Sequence, residues 1–283
     1  MSDIQTIQAD RGFGSNINIT ESYKVIRCEK GVCRTCDHEL IGEEPLMIRI
    51  EGNPYSVVMR TPGEEISHAA GFCLGEGLVD TRDDIATIGF CEDMDPNVVD
   101  IRLQPKSMAR VSPLLERRGF VSQTSCGICG KEMVKDLYQI LSPVTDHTRI
   151  SIPQAFECMD RLSQHQDYYR RTRGSHAAML FDSQFKMMAF AEDVGRHNAL
   201  DKVIGKLFMA GKLAEARLAI LSSRISYELV QKAARAHLPI LISKSRPTSL
   251  AVEMAQGLNM TLACTAKEME LILICGEERV TRE

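Results

Sequence analysis

Residues 216–256 read ARLAILSSRISYELVQKAARAHLPILISKSRPTSLAVEMAQ, and this stretch decides the fold. Two short apolar runs, LAIL at 218–221 and ILI at 240–242, each lead into a polar turn and then an amphipathic segment. A strand that is apolar throughout is buried on both faces. Helices following such strands indicate a mostly parallel sheet covered on both sides. The same pattern extends outward. MTLACTA at 260–266 and LILIC at 271–275 read as further strands, and HAAMLFD and KMMAFAED as a strand pair around a Ser183-Gln184 turn. HNALDKVIGKLFMAG at 197–211 puts Leu200, Val203, Ile204, Leu207 and Phe208 on one helical face.

The N-terminal half reads differently. EEPLMIRIEGNPYSVVMR at 43–60 carries a hairpin signal around its Gly-Asn-Pro, and VVDIRLQPK at 98–106 alternates like a strand. Between them Thr61 is expected to cap a helix opened by Pro62, with Ile66, Ala69, Ala70, Cys73 and Leu74 at helical spacing. The division expected is a polar leader (1–20), an N-terminal α+β domain (21–110), a linker carrying a cysteine loop (111–135) and a larger α/β domain (136–283). KEMVKDLYQIL, following the cysteine loop, reads as a helix, and no internal repeat is visible.

Composition narrows the function. With 44% hydrophobic and 25% charged residues the chain is that of a globular protein, and a net charge of −4 gives no bulk attraction to nucleic acid. No apolar run approaches the ~20 residues needed to span a bilayer. The first residues lack a signal-peptide pattern, so a cytoplasmic location is expected.

Ten cysteines in such a setting are expected to be mostly reduced thiols. Cys73, Cys91 and Cys275 have apolar neighbours and read as small core residues. Two CxxC pairs remain, Cys33/Cys36 and Cys126/Cys129. The second, in TSCGICGKE at 124–132, lies between glycines just ahead of an expected helix bearing Lys131 and Lys135. Those are conditions that expose a thiol and lower its pKa. Sulfur or redox chemistry fits, and an idle thiol pair in a turn is the competing reading. About 90 residues separate the two pairs, against the ~15–20 of a zinc ribbon. A local zinc site of Cys28, Cys33, Cys36 and His38 is a minor alternative to a solvent-exposed thiol cluster.

In a sheet of this kind ligands bind at the carboxyl ends of the strands. Three polar turns are expected there, at 192–202, 222–228 and 243–249, supplying Arg196, His197, Ser223, Arg224, Ser243, Lys244 and Ser245. Each combines a cation with a helix N-terminus, and the second and third add hydroxyls, the equipment for a phosphate-like anion. Ordinary caps with solvated arginines would look similar, but three equivalent turns weigh toward a ligand. Asp193 and Arg196 are expected to pair and fix the first loop. His176 and His197 lie at element ends, where each alone reads as structural.

The strings SCGICG, HAAMLF, EDVGRHNALDK, SSRISYELVQKA and TSLAVEMAQ, in that order, resemble the FdhD family of formate dehydrogenase accessory sulfurtransferases, and EEPLMIRIEG and AAGFCLGEGLV extend the likeness. The resemblance implies a C-terminal three-layer, cytidine-deaminase-like domain beside a smaller α+β domain, in a homodimer. It implies that Cys126 takes sulfur from a cysteine desulfurase as a persulfide and passes it to the molybdenum or tungsten of the bis(molybdopterin guanine dinucleotide) cofactor used by formate dehydrogenase. Cys129 would help release that sulfur or support the loop. The three turns, with Lys267, would then seat the guanine nucleotide part of the cofactor, which a GDP-like nucleotide would mimic. A chaperone that delivers the cofactor without sulfur transfer is the alternative. No resident metal, membrane or nucleic-acid partner is implied. Departures from the family pattern are Arg173-Gly174 before the HAA motif, the segment CTAKEMELIL with only Lys267 as a cation, and the insertion CEKGVCRTCDHE at 28–39. HAA also lacks the Glu of a deaminase H-x-E signature, so deamination is not expected.

Overall fold

The structure, a computed structural model, describes residues 19–90, 95–117, 141–267 and 270–282. The chain opens with a hairpin of strands β1 (Thr20–Glu29) and β2 (Val32–Ile41). Next come β3 (Glu44–Ile50), β4 (Asn53–Arg60), helix α1 (Glu65–Gly75), β5 (Ile85–Phe90), β6 (Val98–Leu103) and α2 (Pro105–Arg117). Strands β3–β6 form a four-stranded sheet in the order β4-β3-β6-β5, with β3 and β6 parallel. The hairpin expected around Gly-Asn-Pro turns at Glu51 and Gly52, both at positive φ (52° and 75°), and Asn53 and Pro54 already belong to β4. Thr61 does not cap α1. That helix starts four residues later, at Glu65, behind a left-handed N-cap Glu64.

The C-terminal half holds β7 (Ile150–Ser151), α3 (Ile152–His165), α4 (Asp167–Thr172), β8 (His176–Phe181), β9 (Met187–Asp193) and α5 (Arg196–Met209). It continues with β10 (Leu218–Leu221), α6 (Tyr227–Arg235), β11 (Ile240–Ser243), α7 (Ser249–Gly257), β12 (Thr261–Lys267), β13 (Glu270–Cys275) and β14 (Val280–Thr281). Six strands form one sheet in the order β13-β12-β11-β10-β8-β9. β10, β11 and β12 pair in parallel, whereas β8 and β13 run against their neighbours. Four strands therefore point one way, but three of the five pairings are antiparallel, which makes the sheet mixed. The antiparallel members follow from short turns, since a two-stranded reversal needs no crossover helix.

The strand alternation sorts the core into two layers. Ala178, Leu180, Ala219, Leu221 and Leu241 face a cluster built with α1, α5, α6 and α7, while Ala177, Met179, Phe181, Leu218, Ile220, Ile240 and Ile242 face α3. This is the expected three-layer α/β arrangement. The first cluster also takes in Leu46, Ile48, Val99 and Ile101 of the four-stranded sheet, so one core runs through both halves.

α1 crosses α5 backbone to backbone. A Cβ on Gly71 would lie 1.9 Å from the carbonyl oxygen of Asp201, and one on Gly205 would lie 1.7 Å from that of Ser67. Only glycine permits this approach. Arg173, expected as a departure from the resemblance's Gly-Gly, adopts φ 58° at the end of α4, with its guanidinium over the Tyr169 ring. The position demands a left-handed backbone, which glycine provides without strain.

Candidate functional site at the carboxyl edge of the sheet

Because β9, β10, β11 and β12 point the same way, their carboxyl ends lie along one edge, and the first residue of β8, His176, sits there too, opposite Asp193. The three polar turns picked out in the sequence occupy this edge. The turns after β9, β10 and β11 lead directly into α5, α6 and α7. Thr248 caps α7 by accepting from Ala251 N (3.3 Å), but neither Gly195 of α5 nor Ser226 of α6 provides a side-chain cap. Two helix N-termini thus present first-turn N–H groups that no capping side chain satisfies, each with the partial positive charge of a helix start.

The first turn is held by Asp193, which is wholly buried. Its carboxylate accepts from Gly195 N (2.8 Å), Asn198 Nδ2 (2.8 Å) and Thr61 N (3.1 Å), and it pairs with Lys202 Nζ at 2.7 Å. The expected Asp193–Arg196 pair does not form. Nearly two turns further along α5, Lys202 reaches inward, and its ammonium compensates the buried carboxylate that would otherwise stand alone in the core. Thr61 Oγ1 accepts from Val194 N (3.0 Å) and Thr61 O from Lys202 Nζ (2.8 Å). Thr61, expected as a helix cap, instead ties the N-terminal half to the edge of the large sheet.

With Asp193 occupied by Lys202, the half-buried Arg196 stands beside His176 and His197. Burial first, and the Arg196 charge next, hold the His176 imidazole below its ordinary pKa, so it is neutral near pH 7. His197 Nε2 lies 2.8 Å from a Glu228 carboxylate oxygen and 3.2 Å from Ser226 Oγ. The His197 hydrogen bond is the main reason the Glu228 carboxyl lies below the usual range.

The other turns are knitted together. Ser222 Oγ accepts from Ala177 N (2.8 Å), Lys244 N donates to Leu221 O (3.0 Å), and Thr248 N donates to Ile225 O (3.0 Å). Ser243 is fully buried. Its hydroxyl donates to Ser223 O and accepts from Ser245 N (3.1 Å). Ser223 Oγ donates to Arg224 O (3.2 Å). Lys244 Nζ donates to Ser163 Oγ of α3, on the far side of the sheet from α5 and α6. Arg224 is exposed, and Lys267 ends β12 on the same edge.

The structure therefore brings Arg196, His197, Ser223, Arg224, Ser243, Lys244, Ser245 and Lys267 to one edge but gives them different work. Arg196, His197 and Arg224 present charge or polarity there, Ser223, Ser243 and Ser245 shape the turns, and Lys244 is engaged by α3. Cys126 and Cys129, like Cys91 and the helix expected from 131, lie outside the described residues. Sequence reasoning passed over Glu228, Asn198 and Lys202. The signal for Lys202 was its place in EDVGRHNALDK nine residues after an aspartate, a spacing that becomes meaningful only once the strand-to-turn-to-helix path is known.

Among the described residues no three His, Cys, Asp or Glu side chains are placed to hold a metal ion. The local zinc set is not assembled. Cys28 and Cys33 form a disulfide, and strand alternation puts Cys36 and His38 on the opposite face of the hairpin. Cys36, Cys73, Cys158, Cys264 and Cys275 are free thiols. Among the described residues no helix is long and apolar enough to cross a membrane.

The fold is three-layer α/β, and two uncapped helix starts, Arg196, Arg224, His176 and His197 lie at one edge of its large sheet. Residues 41–281 match the model of the FdhD/NarQ family, and the chain belongs to that family. It is 36% identical over 272 residues to a protein of Streptomyces avermitilis named sulfur carrier protein FdhD, covering 93% of this chain and 96% of that one. A protein of the same name from Mycobacterium tuberculosis is 36% identical over 251 residues, 84% of this chain and 90% of that one. The crystal structure of a protein described as a formate dehydrogenase accessory protein, from Desulfotalea psychrophila, superposes with a TM-score of 0.74. At 20% identity, covering 93% of this chain and all of that one, it shares the fold.

Proposed function

We propose that this protein is a sulfurtransferase of the carrier type. It would accept sulfur from a cysteine desulfurase as a persulfide on Cys126 and pass it to the molybdenum or tungsten of bis(molybdopterin guanine dinucleotide), the substrate that formate dehydrogenase later uses. The observation that carries this reading is the 36% identity, over almost the whole chain, to proteins named sulfur carriers. The carboxyl edge supports it, because a guanine nucleotide is a phosphate-bearing anion of the kind that two open helix starts and Arg196, His197 and Arg224 would attract.

The chemistry is a thiolate exchange. The Cys126 thiolate attacks the sulfane sulfur of the donor persulfide, the donor cysteine leaves as a thiolate, and the sulfur is carried as Cys126 persulfide. Cys129 would then aid release by attacking that persulfide or serve the loop. The homodimer implied by the family likeness and the cytoplasmic setting belong to the same proposal.

The test is mass spectrometry of the protein incubated with an active cysteine desulfurase and cysteine, without reductant. One added sulfur on the peptide holding Cys126, removed by reductant and absent from Cys126→Ala, is the expected result. No added sulfur there would favour the cofactor chaperone, for which Cys126→Ala would keep formate dehydrogenase activation.

A further inference from the structure

We propose that the tip of the β1–β2 hairpin is a second thiol site, a reversible dithiol–disulfide couple that exchanges with small monothiols of the cysteine class. It is independent of the Cys126 reading and lies ahead of residue 41, where the family match begins. Cys28 and Cys33 face each other across the ribbon, one residue back from a turn at Lys30 and Gly31, and are joined by a disulfide. Both are exposed, as are Ile26 (73%) and Val32 (70%) beside them.

The bond does little for the fold. A bridge stabilises mainly by removing freedom from the unfolded chain, and that effect is smallest for short loops. Here the partners are five residues apart, and the turn already holds them opposite one another. No core packs at the tip. The chemistry of the pair therefore remains as its distinguishing property.

The other described cysteines set it apart. Cys73, Cys158, Cys264 and Cys275 are buried, and burial raises each thiol, that of Cys158 to about 12, so little thiolate exists near pH 7. Cys36 points to the opposite face of the ribbon. Residues 27–34 carry Arg27, Lys30 and Arg34 against a single carboxylate, Glu29. Strand alternation turns Arg27, Glu29 and Arg34 to the face opposite the disulfide, so their net positive charge, with Lys30 of the turn, acts at the tip as a whole by attracting an anionic or zwitterionic thiol. Exposed disulfides are the ones that exchange.

The reaction balances. A monothiolate RS⁻ attacks one hairpin sulfur, giving a mixed disulfide and releasing the other cysteine as thiolate. A second RS⁻ attacks the R-bearing sulfur, releases RSSR and leaves two thiolates, which take up two protons. Two electrons pass from two RSH to the protein, and the reverse reaction oxidises the pair with RSSR.

The full chain carrying Cys126→Ala and Cys129→Ala, equilibrated in cysteine/cystine mixtures, acid-quenched, alkylated and digested with trypsin, reports the couple directly. Trypsin separates Cys28 (CEK) from Cys33 (GVCR), so only the disulfide links the two peptides. The expected result is conversion of the linked pair into two alkylated peptides, from about one tenth to about nine tenths over a roughly hundredfold change in [RSH]²/[RSSR]. Reversing the buffer should restore the link, with circular dichroism unchanged. In Cys33→Ser, Cys28 should be recovered carrying cysteine when cystine is in excess. A pair that stays linked in excess cysteine while the chain is folded would make the bridge a structural staple. A pair fully alkylated in excess cystine, or an unmodified Cys28 in Cys33→Ser, would equally overturn the couple.

Discussion

Asp193 has no solvent exposure and four partners, and among them Lys202 carries the compensating charge. Asp193→Asn leaves that ammonium buried and uncompensated, so a loss of about 3–5 kcal/mol in denaturant unfolding is expected. Asp193→Asn combined with Lys202→Met should recover part of it, since removing both charges ends the penalty. His68 poses a different problem. It is fully buried, and burial first, then Lys202, Lys232 and Arg60, hold it well below 6.5. The unfolded chain takes up a proton on His68 near pH 6.5 while the folded chain does not, so stability falls as pH drops below that value. The buried Asp201 carboxyl, raised to about 6 chiefly by burial, acts in the opposite sense: the stability it contributes is present below about pH 4 and lost as pH rises through 6. The comparison must therefore be between variant and parent. In unfolding titrations from pH 5 to 7, His68→Leu should flatten the pH slope by up to about one proton relative to the parent chain.

At the scale of elements, the α1–α5 crossing sets how the N-terminal half meets the large sheet. Gly205→Ala places a methyl group against the Ser67 carbonyl, and backbone cannot move aside as a flexible side chain can. The expected cost is about 1–3 kcal/mol or more, read as a lowered thermal midpoint. The β1–β2 hairpin is tied at its base by Arg171, which pairs with Glu39 and donates to Thr20 Oγ1 (2.8 Å). A two-stranded ribbon is marginal by itself, so this anchoring on α4 accounts for its extension from the body. Its strands escaped a reading by alternation because polar residues occupy both faces, leaving no apolar stripe at a period of two.

At the scale of the whole molecule, the carboxyl edge should behave as one anion site. Arg196→Ala and Arg224→Ala should each weaken binding of GDP, as a stand-in for the cofactor's nucleotide, by about tenfold, with less dependence on salt, as measured by calorimetry. Lys244→Ala should change it little, because Ser163 holds that ammonium on the other face. Equal losses for all three would mean that α3 does not hold Lys244 away from the site in solution.

The apolar strands at 218–221 and 240–242, their polar turns and the helices after them were legible in the sequence, because burial on both faces and amphipathic periodicity are local patterns. So was the clustering of Arg196, His197 and Arg224, since strand ends in such a sheet share an edge. The Asp193–Lys202 pair, the use of Thr61 as a tie between halves and the glycine crossing were not. The tie and the crossing depend on groups far apart in the chain, 132 residues for Thr61 and Asp193, and the ion pair on a strand-to-turn-to-helix path that only the fold sets. What each segment could become was written locally by hydrophobic pattern and turn chemistry. Which buried charges would meet was decided only in the assembled core, where desolvation makes any charge left without a counter-charge costly.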